Sequence, residues 1–148
     1  MSTVSPLRIA AAAGAAFLTS SAWYAALGSR LAELDEAYAG PPPSPAVVAP
    51  VELARSAVVA TAVSVLADRL AVRGPREALV LGTGLWTAFP VVLLTGSVFH
   101  EKVPWRLAAI HAGDWLVKLL LVSAVVGRPR TPVSRPGRRG RPGRPGRW

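Results

Sequence analysis

Two stretches decide what this chain can fold into. Ile9 to Ser29 is a run of 21 residues without a charge, and Ala78 to Phe99 is a run of 22. Each exceeds the roughly 20 residues that a helix needs to cross a hydrocarbon core of about 30 Å. Between Ala78 and Phe99 the polar side chains besides the Trp86 indole are Thr83, Thr87, Thr95 and Ser97. Their small hydroxyls can bond to their own helix backbone. A soluble amphipathic helix needs a polar face, and this segment offers none. A β-barrel is disfavoured because the runs are continuous rather than alternating.

Two further segments complete a set of four. Val51 to Leu70 is the weakest, with Glu52, Arg55, Asp68 and Arg69 near its ends. Trp105 to Gly127 is long enough but carries Arg106, His111, Asp114 and Lys118. The expected fold is therefore all-α: a polytopic membrane protein with transmembrane helices at about 9–29, 51–70, 78–99 and 105–127. The first segment has a competing reading as a cleaved signal peptide, with Arg8 as a minimal n-region and Ser20-Ser21-Ala22 as a passable cleavage site. Against cleavage, the apolar run continues through Trp23, Tyr24 and Leu27.

The intervening sequence reads as connectors. Gly40-Pro41-Pro42-Pro43-Ser44-Pro45 should be extended, and Leu31 to Tyr38 before it could form a short interfacial helix. Arg73-Gly74-Pro75-Arg76 suits a tight turn, and His100 to Pro104 joins the last two spans. Pro90 falls inside the third span and should kink it, with neighbouring helices making good the lost hydrogen bond. Small residues (Ala10 and Gly14 in span one, Gly82 and Gly84 in span three) permit close helix contact.

Charge is segregated. The chain carries 17 Lys and Arg against 8 Asp and Glu, and Arg128 to Trp148 hold eight of the arginines and no acid. This Arg/Pro/Gly-rich tail (residues 128–148) lacks apolar content and is expected to be disordered. Arg135, Arg138, Arg139, Arg141, Arg144 and Arg147 suit anionic lipid headgroups, at about 1 kcal/mol per residue near the surface. Lipid is the expected partner of the tail, ahead of nucleic acid. Arg8, Arg69, Arg73, Arg76 and the eight tail arginines give 12 basic residues on one side, against Arg30, Arg55, Lys102 and Arg106 on the other. Cytoplasmic segments carry the excess of Lys and Arg. Both termini are therefore expected in the cytoplasm, in an inner-membrane, multi-pass topology.

Chemistry has few candidate carriers. The chain has no cysteine and two histidines, which removes disulfides, thiolate zinc sites and cysteine nucleophiles. No Ser-His-Asp set, metal motif or pair of catalytic carboxylates can be assembled, so neither an enzymatic activity nor a cofactor is expected. Gly82-Thr83-Gly84 is only a fragment of a nucleotide fingerprint. His111, Asp114 and Lys118 are three and four residues apart and share one helix face. Counting about 1.5 Å per residue from Trp105 places Asp114 roughly 13 Å in, near mid-membrane. An ionisable group there should face the bundle and be paired. Two readings stay open: a relay or polar substrate pocket, and a plain helix-to-helix clasp. Glu52 and Arg55 suit an interfacial ion pair. Trp23, Tyr24, Trp86 and Phe89 read as packing and belt residues.

Spans three and four carry a resemblance. Leu85-Trp86-Thr87-Ala88-Phe89, then Phe99-His100-Glu101-Lys102-Val103-Pro104, then Ile110-His111-Ala112-Gly113-Asp114-Trp115-Leu116-Val117 resemble the bacterial membrane family called domain of unknown function 1761. Ser21-Ala22-Trp23-Tyr24 is similar to that family's Trp-Tyr-Ser-Pro turn, although Ala25-Ala26 follows here. The family's Asn-Ala-Gly-Tyr in the last helix stands here as His111-Ala112-Gly113-Asp114. The resemblance covers about Ile9 to Gly127 and implies a small four-helix membrane protein, with no activity attached. The function expected first is a small integral membrane protein that packs or interacts through its helices. The alternative is an oligomeric transporter-like or channel-like protein using His111, Asp114 and Lys118.

Overall fold

The computed structural model describes residues 5–41 and 43–127. Its elements are α1 (Pro6–Leu34), a 3-10 turn (Glu36–Tyr38), α2 (Pro45–Arg69), α3 (Pro75–Trp86), a π-helical turn (Thr87–Val91), α4 (Val92–His100) and α5 (Trp105–Val126). Prolines set the starts. Pro6, Pro45 and Pro75 open their helices, and Pro104 immediately precedes α5. At a first helical position proline loses no hydrogen bond, and its φ is already helical. The expected six-residue connector is shorter for this reason, because Pro45 begins α2 rather than ending an extended stretch. The expected interfacial helix over 31–38 is also different: α1 runs on to Leu34. Asp35 then accepts a hydrogen bond from the Ala37 amide at 2.9 Å and nucleates the 3-10 turn.

Two left-handed residues close other helices. Ala71 (φ 53°) follows α2, with the Val72 amide returning to the Ala67 carbonyl at 2.9 Å. Lys102 (φ 61°) follows α4, with the Val103 amide returning to Ser97 at 3.2 Å. The first is a Schellman closure, a motif that usually employs glycine; the second returns one residue further back along α4. Pro90 is accommodated differently from a simple kink. The helix widens into π geometry over Thr87–Val91, and Pro90 is buried there. Wide turns are a known means of absorbing an interruption in the hydrogen-bond ladder.

Among the described residues, four helical stretches are long and apolar enough to cross a membrane: Pro6–Leu34, Pro45–Arg69, Pro75–His100 and Trp105–Val126. α5 is the hub, packing on α3, α1 and α2, while α1 also packs on α2. The core is built from small side chains: Ala12, Ala13 and Ala16 of α1, Ala60, Val63 and Ala67 of α2, with Leu81, Leu119 and Val122. Large apolar groups point outward instead, including Leu18, Val58, Val80, Leu93 and Phe99. Such an arrangement suits lipid, where close backbone approach rather than apolar burial drives helix association.

The contacting small residues are partly different from those expected. On α1 the stripe is Ala12, Ala13, Ala16 and Ser20, whereas Ala10 is exposed. A Cβ on Gly14 or Gly84 would meet nothing within 4 Å among the described residues. Gly82 is a close contact: a Cβ there would lie 3.1 Å from the Leu119 carbonyl oxygen and from Leu120 Cα. The tail arginines Arg135, Arg138, Arg139, Arg141, Arg144 and Arg147 lie outside the described residues.

Candidate functional site

α1 and α5 meet in a register that pairs their polar residues. Ser20 and Tyr24, one turn apart on α1, face Asp114 and His111, one turn apart on α5. Ser20 Oγ donates to Asp114 Oδ1 at 2.5 Å. Tyr24 Oη lies 2.8 Å from His111 Nδ1. The second histidine nitrogen, Nε2, is 3.2 Å from Tyr38 Oη, which reaches in from the 3-10 turn. A neutral imidazole has one donor and one acceptor, and a phenol can be either. His111 is thus bonded on both sides whichever tautomer it adopts.

Two tryptophans fix α5 in place. Trp23 Nε1 donates to the Ile110 carbonyl at 3.1 Å, and Trp86 Nε1 donates to the Ala112 carbonyl at 2.8 Å. Each carbonyl has a second lone pair beyond the one used within the helix. Gly113 makes the first contact possible: a Cβ there would lie 2.6 Å from Trp23 Cζ2. The Trp23 ring occupies the place where a side chain would stand. These tryptophans therefore do more than pack or line a membrane interface.

Deeper in the bundle, Lys118 Nζ stands 3.4 Å from Asp114 Oδ2 and 5.0 Å from the centroid of the Trp115 ring. Asp114 is 3% exposed and Lys118 5%. Both line a cavity of about 1000 Å³, together with Ser20, Tyr24, Tyr38 and His111. Its opposite wall is α2, where Arg55 donates to Glu52 in an ion pair that also lines the cavity. The structure thus brings His111, Asp114, Lys118, Glu52 and Arg55 around one space. The lining acids and bases balance in number, with Glu52 and Asp114 against Arg55 and Lys118. Among the described residues, no three His, Asp or Glu side chains converge as a metal site.

Sequence reasoning missed Ser20, Tyr24 and Tyr38 as members of this cluster. Ser20 and Tyr24 carried a detectable signal, since their four-residue spacing places two polar groups on one face of an apolar helix. Tyr38 carried none, because its approach depends on the Asp35 turn.

Outward-facing large apolar side chains, a small-residue core and ionisable groups turned inward onto a cavity define a multi-pass helical membrane protein with an open, mostly apolar chamber that holds a polar cluster. A family model described as Protein of unknown function (DUF1761) matches residues 7–127. The chain belongs to that family, and every cavity residue named above falls inside the matched region. No curated protein and no solved structure matches the chain.

Proposed function

We propose that this protein binds a small solute within the membrane and works as a transporter-like carrier rather than as a helix-packing element or an enzyme. The observation that carries this reading is the buried Asp114–Lys118 pair facing a cavity of about 1000 Å³ rather than a packed interface. Ligand sites run to about 300–1,000 Å³, with apolar walls and a few convergent polar groups. A clasp between helices would close over its charges. Binding is favoured over catalysis because, among the described residues, Asp114 both takes the Ser20 hydroxyl bond and faces Lys118, which leaves no free carboxylate beside a nucleophile.

The distribution of Lys and Arg supports an orientation with both termini in the cytoplasm of an inner membrane. The cavity mouth, beside Ala37, Tyr38, Gly40, Pro41, Pro43 and Pro45, then opens on the opposite, outer face. Basic residues beyond Gly127 serve the cytoplasmic leaflet through anionic headgroups. Four spans enclose little of a path on their own, so a homo-oligomer is the form expected to move a solute.

Accessibility tests the reading directly, because the chain has no cysteine of its own. Gly28→Cys is near the mouth and has nothing within 4 Å of its Cβ among the described residues. Ser21→Cys is deeper and loses only a hydroxyl bond to the Phe17 carbonyl of its own helix. A small impermeant thiol reagent added to intact cells should label both. Labelling of Gly28→Cys without Ser21→Cys would mean a closed bundle and refute the chamber. Labelling of both only after the cells are opened would reverse the orientation.

A further inference from the structure

The geometry points to an amphiphilic carboxylate, a single apolar chain ending in a carboxylate, as the ligand of the cavity, with Lys118 as the group that recognises its head. This inference rests on the cavity being a binding site, as proposed above. A lysine ammonium has three N–H donors. Among the described residues, the neighbours of Lys118 Nζ are Asp114 Oδ2 at 3.4 Å and the Trp115 ring at 5.0 Å. A close charge-assisted N–H···O bond spans about 2.7–2.9 Å. The pair is therefore held by charge without a close hydrogen bond, and the ammonium keeps donors for another acceptor. Lys118 is buried yet lines the cavity, so those donors are available only to a group inside it.

A cationic head is served less well. Asp114 already accepts from Ser20 at Oδ1 and faces Lys118 at Oδ2. Glu52 is taken by Arg55. Both acids are thus compensated before any ligand arrives. One buried ammonium suits a carboxylate better than a doubly charged phosphate, which needs several cationic donors to leave water.

Most of the cavity wall is apolar. Phe17, Leu31, Val48, Leu94 and Trp115 line it. α2 packs on α1 and α5, and α4 on α5, but α2 and α4 share no extended contact among the described residues. A hydrocarbon chain can lie along that side while its head reaches Lys118. A wholly polar solute would leave those walls facing water.

The test compares three heads on one tail: hexanoate, hexylammonium and hexan-1-ol. The full chain is placed in nanodiscs of zwitterionic phosphatidylcholine, and tryptophan fluorescence and thermal unfolding are followed. Hexanoate should bind saturably, and about tenfold or more tightly than the other two, as expected of one charge-assisted contact in a dry site. Lys118→Gln combined with Asp114→Asn leaves a neutral floor and avoids a lone buried charge. That variant should lose the preference for hexanoate over hexanol, while Lys118→Arg keeps it. Equal binding of hexanol, tighter binding of hexylammonium, or a preference that survives the double variant would each overturn the carboxylate assignment and leave the chamber standing. So would failure of all three probes in a protein whose Ser21→Cys form is labelled. Failure of all three with no labelling of Ser21→Cys would remove both proposals together.

Discussion

Gly113 is where the fold and the cavity are most sharply coupled, and Gly113→Ala is the substitution with the most definite consequence. The added Cβ would lie 2.6 Å from Trp23 Cζ2 and 2.9 Å from Cη2, against 3.4 Å for ordinary contact. The ring or the helix must therefore yield by about 0.8 Å, the difference between 3.4 and 2.6 Å. Overpacking of this kind costs about 1–3 kcal/mol. Moving the ring also endangers the Trp23 Nε1 bond to the Ile110 carbonyl, worth about 1 kcal/mol. Alanine returns up to about 1 kcal/mol of helix propensity relative to glycine. The net expectation is a destabilisation of about 1–3 kcal/mol.

The clashing atoms belong to the six-membered ring of the indole, so the effect should be specific to that ring. Trp23→Phe removes them and should make Gly113→Ala nearly harmless, giving a coupling of about 1–2 kcal/mol in a double-mutant cycle. Gly84→Ala is the control, since nothing lies within 4 Å of that position among the described residues, and it should be neutral or mildly stabilising. Reversible unfolding in mixed micelles, followed by circular dichroism, measures wild type and the four variants. If Gly113→Ala matched Gly84→Ala within about 0.5 kcal/mol, or if no coupling to Trp23 appeared, the close approach of α1 to α5 would be wrong. Tyr24 follows Trp23 on the same turn and binds His111, so the cavity geometry would fall with it.

Three other outcomes are expected. Asp114→Ala alone should destabilise more than Asp114→Ala with Lys118→Met, because the single change leaves an uncompensated buried ammonium; thermal unfolding should give a coupling of about 0.5–2 kcal/mol, and additivity would mean that the pair does not interact. Ala71→Gly should raise stability by about 1 kcal/mol, since glycine relieves the left-handed strain at φ 53°; a loss on unfolding assays would show that the α2 closure is not as described. A chain ending at Arg130 should melt like full length, because the tail sequence beyond it offers little apolar content to bury, while its affinity for anionic liposomes falls and the affinity of the full chain weakens with salt.

Much of this architecture is legible in the sequence because membrane segments obey a severe rule about charge. The uncharged runs at 9–29 and 78–99 identify helices without any knowledge of packing. Helix ends were less legible. The first span extends to Leu34 through Arg30 and Glu33, where charge made the apolar pattern stop before the helix did. Pro50 lies inside α2, whose start at Pro45 falls before the weak hydropathy signal begins. The α5 part of the site could be placed on one face by spacing alone. Its partners on α1 could not, because pairing Ser20 with Asp114 and Tyr24 with His111 requires the register of two helices distant in sequence. That register is set by Trp23 over Gly113, a contact invisible to periodicity, while Trp86 on Ala112 fixes α3 against α5. The motif resemblance divides along the same line. Ala112 and Gly113, which match the family pattern, lie at the tryptophan contacts; His111 and Asp114, which depart from it, face the cavity.

The balance of energies also bears on why charges are there at all. A charged side chain at the bilayer centre costs about 2.5–3.5 kcal/mol on insertion scales. Polar contacts between membrane helices return about 0.6 kcal/mol on average and about 1.7 at most. As a device for holding α1 to α5, Ser20, Asp114 and Lys118 would therefore cost more than they contribute. That task is already met by Ala12, Ala13 and Ala16 against the neighbouring helices and by the Trp23 indole bond to Ile110, while the Trp86 indole bond and Gly82 against Leu119 and Leu120 hold α3 to α5. With helix association accounted for, the pair persists at a net cost beside a cavity rather than in a packed interface. The polar lining of the cavity, including Ser20, Tyr24 and His111, lowers that cost by giving the two ions polar neighbours. The cavity also leaves the Lys118 donors facing a space that a ligand can enter, so the energetic argument and the geometric one select the same residues for function.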